Sequence, residues 1–260
     1  MLSRPLVGAA MFVVCLGPAL AGDAVPTPAA AKPSADKILR QMSDALADAR
    51  QFSFKGSRTI GASLAASRNL QQTSEFEVTV ARPNRVVGTS SNSNGARKLY
   101  FDGLALTLFD AKENTYATVP LDATLDELPA QLAKTYGMLP PLADFILSNP
   151  YKDMKRRSAS VSFIGSDSVG TPPVKSHHLR LAGTVADADL WIGIDDHLPR
   201  KLTATVKSGA DAGVAVTIEF AEWNLKAPVN SAMFMFVPPK DALPIPMMTT
   251  AEMQAAAAKQ

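Results

Sequence analysis

The sequence is poor in the residues that carry most protein chemistry. Its 260 residues include one cysteine and three histidines. The cysteine, Cys15, sits in an apolar stretch close to the N-terminus, behind Val14, where a lipobox would need a small residue. Beyond it no thiolate nucleophile, thiolate metal site or disulfide can form. A charge of one sign is lacking too: 26 Lys and Arg face 24 Asp and Glu, a net charge of +2. Phosphate binding needs clustered surplus base, so no nucleic acid is expected as a partner. The one local cluster, Lys152, Lys155, Arg156 and Arg157, reads as a solvated loop. Long apolar runs are missing as well. The stretch 6–16 is uncharged but falls short of the roughly 20 apolar residues that a membrane span requires.

Motifs for nucleophiles, phosphates and metals are also absent. Ser91-Asn92-Ser93-Asn94-Gly95 has Ser91 where a nucleophile elbow needs glycine, and reads as a polar loop. Ser34-Ala35-Asp36-Lys37 matches S-x-x-K without its partner motifs, and reads as a helix cap. There is no G-x-G-x-x-G or Walker spacing. His177 and His178 are adjacent, so in a strand they point to opposite faces and cannot readily share a metal. Asp187 and Asp189 share a face if extended, but Ala-Asp-Ala-Asp ahead of a strand reads as a loop. The expectation is a non-enzymatic protein with no cofactor and no metal.

What is present begins with an export signal. Arg4, the apolar stretch 6–16, Pro18 and the small-x-small site Ala19-Leu20-Ala21 before Gly22 follow the order that signal peptidase reads. Residues 1–21 are therefore read as a cleavable signal peptide and the protein as periplasmic, with no transmembrane segment after cleavage. Residues 22–33, rich in Ala and Pro, read as a flexible lead-in. Residues 34–243 read as one domain, and 244–260 as a loosely held tail.

Within the domain, Ile38, Met42, Ala45, Leu46 and Ala49 form the apolar stripe of a helix of about four turns. After Arg50 the period becomes two. Phe52 and Phe54, then Phe76, Val78 and Val80, alternate with polar residues, as in strands with one face buried. Residues 99–101 and 104–109 flank Asp102-Gly103, a two-residue hairpin signal. Thr124-x-x-Glu127 is a capping box for a helix carrying Leu125, Leu128, Leu132 and Tyr136, which Pro129 breaks or kinks and Gly137 stops. Strands resume over 161–164, 176–181, 190–194, 201–207 and 214–220, the last with Val214, Val216, Ile218 and Phe220 in alternation, and 233–237 reads as a final strand. Short turns make neighbouring strands antiparallel. The predicted fold class is mainly β with helices (α+β): a single domain of about 9–11 antiparallel strands and two or three helices. Its inner face is either a filled core or the wall of an apolar cavity, and pattern alone does not separate the two.

An ordered series of short motifs carries further information. Asp189-Leu190-Trp191-Ile192, Asp195, Leu198-Pro199-Arg200-Lys201-Leu202, Trp223-Asn224 and Phe234-x-Phe236-x-Pro238-Pro239 resemble the ending of periplasmic lipoprotein carriers of the LolA-like fold. Tyr100-Phe101-Asp102-Gly103, Pro140-Pro141-Leu142-Ala143-Asp144 and Asn149-Pro150-Tyr151 look like a family of predicted periplasmic proteins of unknown function with that fold. The resemblance covers residues 34 to 240. It implies an unclosed antiparallel half-barrel with an apolar concave face, capped by helices. No arginine aligns with the carrier's lid-locking one, so it implies binding of a lipid, acyl chain or other hydrophobic ligand rather than lipoprotein transport as such.

The candidate ligand-contacting residues are Phe76, Val78, Val80, Leu104, Leu106, Leu108, Trp191, Val214, Val216 and Ile218. Ile38, Met42 and Leu46, with Leu125, Leu128 and Leu132, are the candidate lid-helix residues. The leading expectation is a carrier or sensor of a hydrophobic small molecule or lipid. The alternatives are a protein–protein module of the cell envelope, in stress regulation or assembly, and an unrecognised hydrolase.

Overall fold

The computed structural model describes residues 33–257 except 68–71, 139–141 and 209–211. The signal peptide, nearly all of the lead-in, Pro140-Pro141 and part of the 209–213 turn lie outside the described residues.

Twelve strands form one open sheet. In chain order they are β1 (Gln51–Ile60), β2 (Thr73–Ala81), β3 (Arg85–Asn92), β4 (Gly95–Phe101), β5 (Ala105–Asp110), β6 (Thr115–Pro120), β7 (Ser158–Val169), β8 (Val174–Gly183), β9 (Ala186–Gly193), β10 (Pro199–Val206), β11 (Ala215–Asn224) and β12 (Leu243–Pro244). The spatial order is β12-β6-β5-β4-β3-β2-β1-β11-β10-β9-β8-β7. Each of β1 to β6 and β7 to β11 pairs antiparallel with its chain neighbour, and β1 pairs antiparallel with β11. Only β12 runs parallel to its neighbour, β6. This is the unclosed antiparallel half-barrel expected from the sequence. The helices are α1 (Ala35–Ala47), α2 (Ala62–Ser67), α3 (Leu128–Tyr136), α4 (Pro150–Arg157) and α5 (Thr250–Ala257).

Register sorts the residues by face. Phe54 lies opposite Val78 on one side and Trp223 on the other, and Ile218 lies opposite Leu202. These side chains and their alternates form the concave face. Near the β1–β11 seam it is densely filled. Phe54 stacks on Trp223 at 4.7 Å, and Phe145 meets Phe220 edge-on at 4.8 Å. Leu39, Met42 and Leu46 of α1, with Phe52, Leu179, Leu190 and Ile192, belong to the same buried core.

Helix α1 starts at Ser34, whose hydroxyl accepts from the Lys37 amide, so the S-x-x-K match is a cap. It is tied to α4 through Asp36, which accepts from Tyr151 Oη at 2.7 Å and Arg40 Nε at 3.0 Å and pairs with Lys155 Nζ at 3.2 Å. These partners, Tyr151 first, hold the Asp36 carboxyl down at about 2. The Arg82 guanidinium then ties β2 to the helical layer. It donates to the carbonyls of Ala49 at 3.2 Å, Leu46 at 3.4 Å and Ile146 at 2.6 Å.

Several expectations are corrected. The basic cluster is helix α4, not a loop: Asn149 caps it by accepting from the Lys152 amide, Pro150 occupies its first turn, and its C-terminal cations suit the helix dipole. Pro129 does not kink α3 but sits at its start. Glu127 does reach back to the Thr124 amide at 2.8 Å, and Gly137 closes α3 at φ 65°. Asp187 and Asp189 lie within β9, where they face Lys207 and Arg180 respectively. The 233–237 strand does not exist. Ser231–Phe234 is a 3₁₀ turn, and Phe236 beyond it packs on Tyr100, Phe109 and Tyr116. Those three rings lie on the convex face.

Candidate functional site

The concave face is filled on one side only. Over β2 to β6 a cavity of about 560 Å³ lies between the sheet and the helical layer. Its floor is Phe76, Val78, Val86, Gly88, Leu99, Leu108 and Ala117; its roof is Leu128, Pro129 and Leu132 of α3, with Leu142 and Ile146. Ile245, Pro246 and Met247 close a flank. This last wall comes from the segment read as a tail. Leu243 and Ile245 donate their amides to the Asn114 and Tyr116 carbonyls, at 3.0 and 2.8 Å, along the β6 edge. Phe236 lies on the convex side and Met247 on the concave side, so the chain wraps around that edge. The volume falls within the roughly 300–1,000 Å³ of small-molecule sites, and an apolar lining is typical of them.

One end of the cavity is polar. A second hollow, of about 460 Å³, shares Arg58, Ser90, Arg97 and Asp110 with the first and adds Asn92, Asn94, Lys112 and Glu113. Most of its charges are paired: Arg97 Nε donates to Asp110 at 2.9 Å, and Lys112 faces Glu113 at 3.8 Å. Burial pushes the Asp110 carboxyl up, but hydrogen bonds from Arg97 and from the Glu113 and Lys112 amides outweigh it and hold it below the usual range. Arg58 is different. It occupies a concave position of β1 where alternation calls for an apolar residue. Its Nε is buried and has no hydrogen-bond partner among the described residues. Burial pushes its pKa below the ordinary arginine value.

Of the candidate ligand-contacting residues, Phe76, Val78 and Leu108 line the cavity, as do Leu128 and Leu132 of the lid set. Val80, Leu106 and Ile218 are buried in the filled part, with Val216 packed partly buried against it and Val214 buried just before β11. Ile38, Met42 and Leu46 are core residues of α1 away from the cavity, so a single helix, α3, roofs it.

Three positions are corrected. Leu104 is 68% exposed: the Asp102 carboxylate accepts from the Leu104 and Ala105 amides at 2.9 Å each, which draws Leu104 into a three-residue turn. Trp191 is on the convex face, stacked on His178 at 4.2 Å with its indole N–H donating to Asp167. Leu125 is buried but precedes α3. Neither tryptophan lines the cavity. The sequence reading missed Arg58, Val86, Gly88, Ala117, Ile146 and Met247. The one signal available was Arg58, a cation breaking the apolar phase of a strand.

The family described as predicted periplasmic protein (DUF2092) matches residues 35–248. The chain belongs to this family. It is the family read from the motifs, and it places the DUF2092 chain in the periplasm. No curated protein matches the chain in sequence. Among solved structures it is similar to the MucA/MucB complex of Pseudomonas aeruginosa, at 14% identity and a TM-score of 0.42, over 78% of this chain and 61% of that one. It is also similar to a LolA superfamily protein of Nitrosomonas europaea, at 12% identity and a TM-score of 0.36, over 79% and 99% of the two chains. A DUF1329 family protein of Desulfovibrio piger gives 9% identity and a TM-score of 0.40, over 77% and 95%.

Proposed function

We propose that this DUF2092 protein is a non-enzymatic carrier or sensor that holds a hydrophobic ligand, a lipid or acyl chain, between β2–β6 and α3. The observation that supports the reading is the apolar cavity of about 560 Å³. An empty cavity forfeits dispersion contacts along its walls, and each methylene entering it contributes about 0.8 kcal/mol of transfer free energy. A ligand that binds only the folded state raises the melting temperature as its concentration rises. Delipidated protein is therefore expected to be stabilised progressively by primary alcohols of increasing chain length, up to the limit of the cavity. Native mass spectrometry of protein taken from the periplasm should show a bound lipid. A melting temperature indifferent to chain length would remove this reading.

A second reading, a protein–protein module of the envelope, has one observation in its favour. Strand β7 runs twelve residues at the sheet edge and pairs only with β8 among the described residues. Unpaired edges accept added strands, although the bulges along β7 blunt this one.

A further inference from the structure

The cavity has two chemically different ends, and the difference points to the kind of molecule it takes. The deep part is walled by Val78, Val86, Leu108, Leu132 and Ile146. The other end opens past Arg58 into the polar hollow of Ser90, Asn92 and Asn94. A guanidinium at the junction is costly unless something compensates it, because an unpaired, partly desolvated charge is unfavourable. The other two cations lining the polar hollow each have a carboxylate: Arg97 has Asp110 and Lys112 has Glu113. Arg58 makes no hydrogen bond or ion pair with a described residue, and its buried Nε faces no acceptor. A simple space-filling role would be met by methionine or leucine, which carry no such cost. The guanidinium fork is suited to one partner above all, a planar or tetrahedral oxyanion.

We propose that the ligand is an anionic amphiphile whose chain lies in the apolar cavity and whose carboxylate or phosphate head is held by Arg58 at the polar end. This rests on the cavity-binding reading above. Ser90 lies on the same concave face two strands away, where its hydroxyl can donate to the head, and Asn92 and Asn94 line the hollow beyond it. Arg97 and Lys112 are already paired, so of the cations lining the hollow Arg58 is left for the head group.

The test is calorimetric titration of delipidated, full-length mature protein with four probes of equal chain length. Hexadecanol carries no charge, hexadecanoate stands for a free fatty acid, hexadecyl phosphate for a phospholipid head, and hexadecyltrimethylammonium carries the opposite charge. Each is used below its aggregation concentration, on the wild type and on Arg58→Met and Arg58→Lys. The anions should bind the wild type about ten-fold or more tighter than the alcohol, the gain of a charge-assisted hydrogen bond. The tighter of the two identifies the source of the head. Arg58→Met should bring anion and alcohol to about equal affinity, and Arg58→Lys should restore part of the gap. Unliganded Arg58→Met should melt no lower than the wild type, since it loses an uncompensated charge; a purely structural arginine would show the reverse.

Failures of the two readings differ. If the alcohol binds and the anions bind no better, or if the cationic probe binds as tightly as the anions, the head-group assignment falls and the apolar cavity stands. An anion preference that survives Arg58→Met unchanged also overturns it. If no probe binds, the cavity reading falls and takes this one with it.

Discussion

The two sides of the concave face use one sheet and the same alternation, yet one is solid and the other hollow. Next to the β1–β11 seam, Phe52, Phe54, Phe145, Phe220 and Trp223 interlock beneath α1. Between β2 and β6 the inward positions include the small residues Gly88, Ser90 and Ala117 among larger ones, and the roof is a nine-residue helix with a proline in its first turn. Large rings occupy the inward positions of the filled side, and small residues are interspersed among those of the hollow side. The solid side carries stability and fixes the shape. The hollow side forgoes dispersion contacts that only an added molecule could supply.

The largest expected effect tests which face is interior. Ile218, 2% exposed, points inward; its neighbour Thr217 points out and meets the Thr203 hydroxyl at 3.2 Å. Ile218→Asp leaves an uncompensated buried charge, at a cost on the order of 3–5 kcal/mol, whereas Thr217→Ser should be nearly silent in denaturant unfolding. Equal losses at the two positions would break the face assignment. Truncation separates the two sides next. Phe54→Ala on the solid side should cost about 3–5 kcal/mol, while Leu108→Ala, which enlarges a space already there, should cost about 1 kcal/mol. Similar costs would mean that the hollow is packed in solution.

Two glycines sharpen the contrast. A Cβ on Gly56 would lie 2.0 Å from the Glu219 carbonyl oxygen, whereas one on Gly88 meets nothing nearer than Val78 at 3.9 Å. Gly56→Ala should therefore destabilise by about 1–3 kcal/mol or more. Gly88→Leu should be neutral or mildly stabilising, because glycine weakens strands, and it should weaken alcohol binding by filling the space. A Gly88→Leu protein that binds the chain unchanged would place the ligand elsewhere.

The smallest effect belongs to the α1–α4 tie. The folded Asp36 carboxyl titrates at about 2, below the unfolded value of about 3.9. Its contribution is therefore complete above the unfolded pKa and is lost as pH falls through the folded one. Asp36 is 42% exposed, so screening limits that contribution to at most about 1 kcal/mol. Asp36→Asn should lower the melting temperature slightly at pH 7. The gap to wild type should narrow below about pH 4 and close near pH 2. A gap that persists there would assign the effect to packing.

The solid side was legible in the sequence because it obeys the rule by which sequences are read. Phe52, Phe54, Val80, Ile218 and Phe220 announce their strands by burying every second residue, and β2 keeps that alternation as far as Phe76 and Val78 at the edge of the cavity. The hollow side suspends that rule. Strand β3 escaped notice because its inward residues after Val86 are Gly88, Ser90 and Asn92, which face space and polar groups instead of a core. A cavity erases the period that would reveal its own wall. Trp191 misled for a different reason: Leu190, Trp191 and Ile192 are consecutive and apolar, so the pattern does not say which phase faces inward, and the indole stacks on His178 outside. Phe234 and Phe236 alternate as in a strand, but the segment has no neighbour to pair with and instead packs across β3 to β6.

The order of the strands has a kinetic consequence. β1 to β6 and β7 to β11 are two meanders in which each strand pairs with its neighbour in the chain, β1 and β2 across the connection that holds α2 and the others across shorter ones. The two are joined through one pairing, β1 with β11, which brings Ser53 to Asn224 and Ile60 to Val216. Local contacts close quickly, while distant ones wait on the loss of chain entropy that brings them together. Each meander should therefore gather first, with the stitching of β1 to β11 as the slow event that commits the chain to its final form. Pulse-labelled hydrogen exchange during refolding should then find the β1–β11 amides gaining protection after those of the β4–β5 and β8–β9 hairpins. Simultaneous protection would mean that the long-range seam is itself the nucleus.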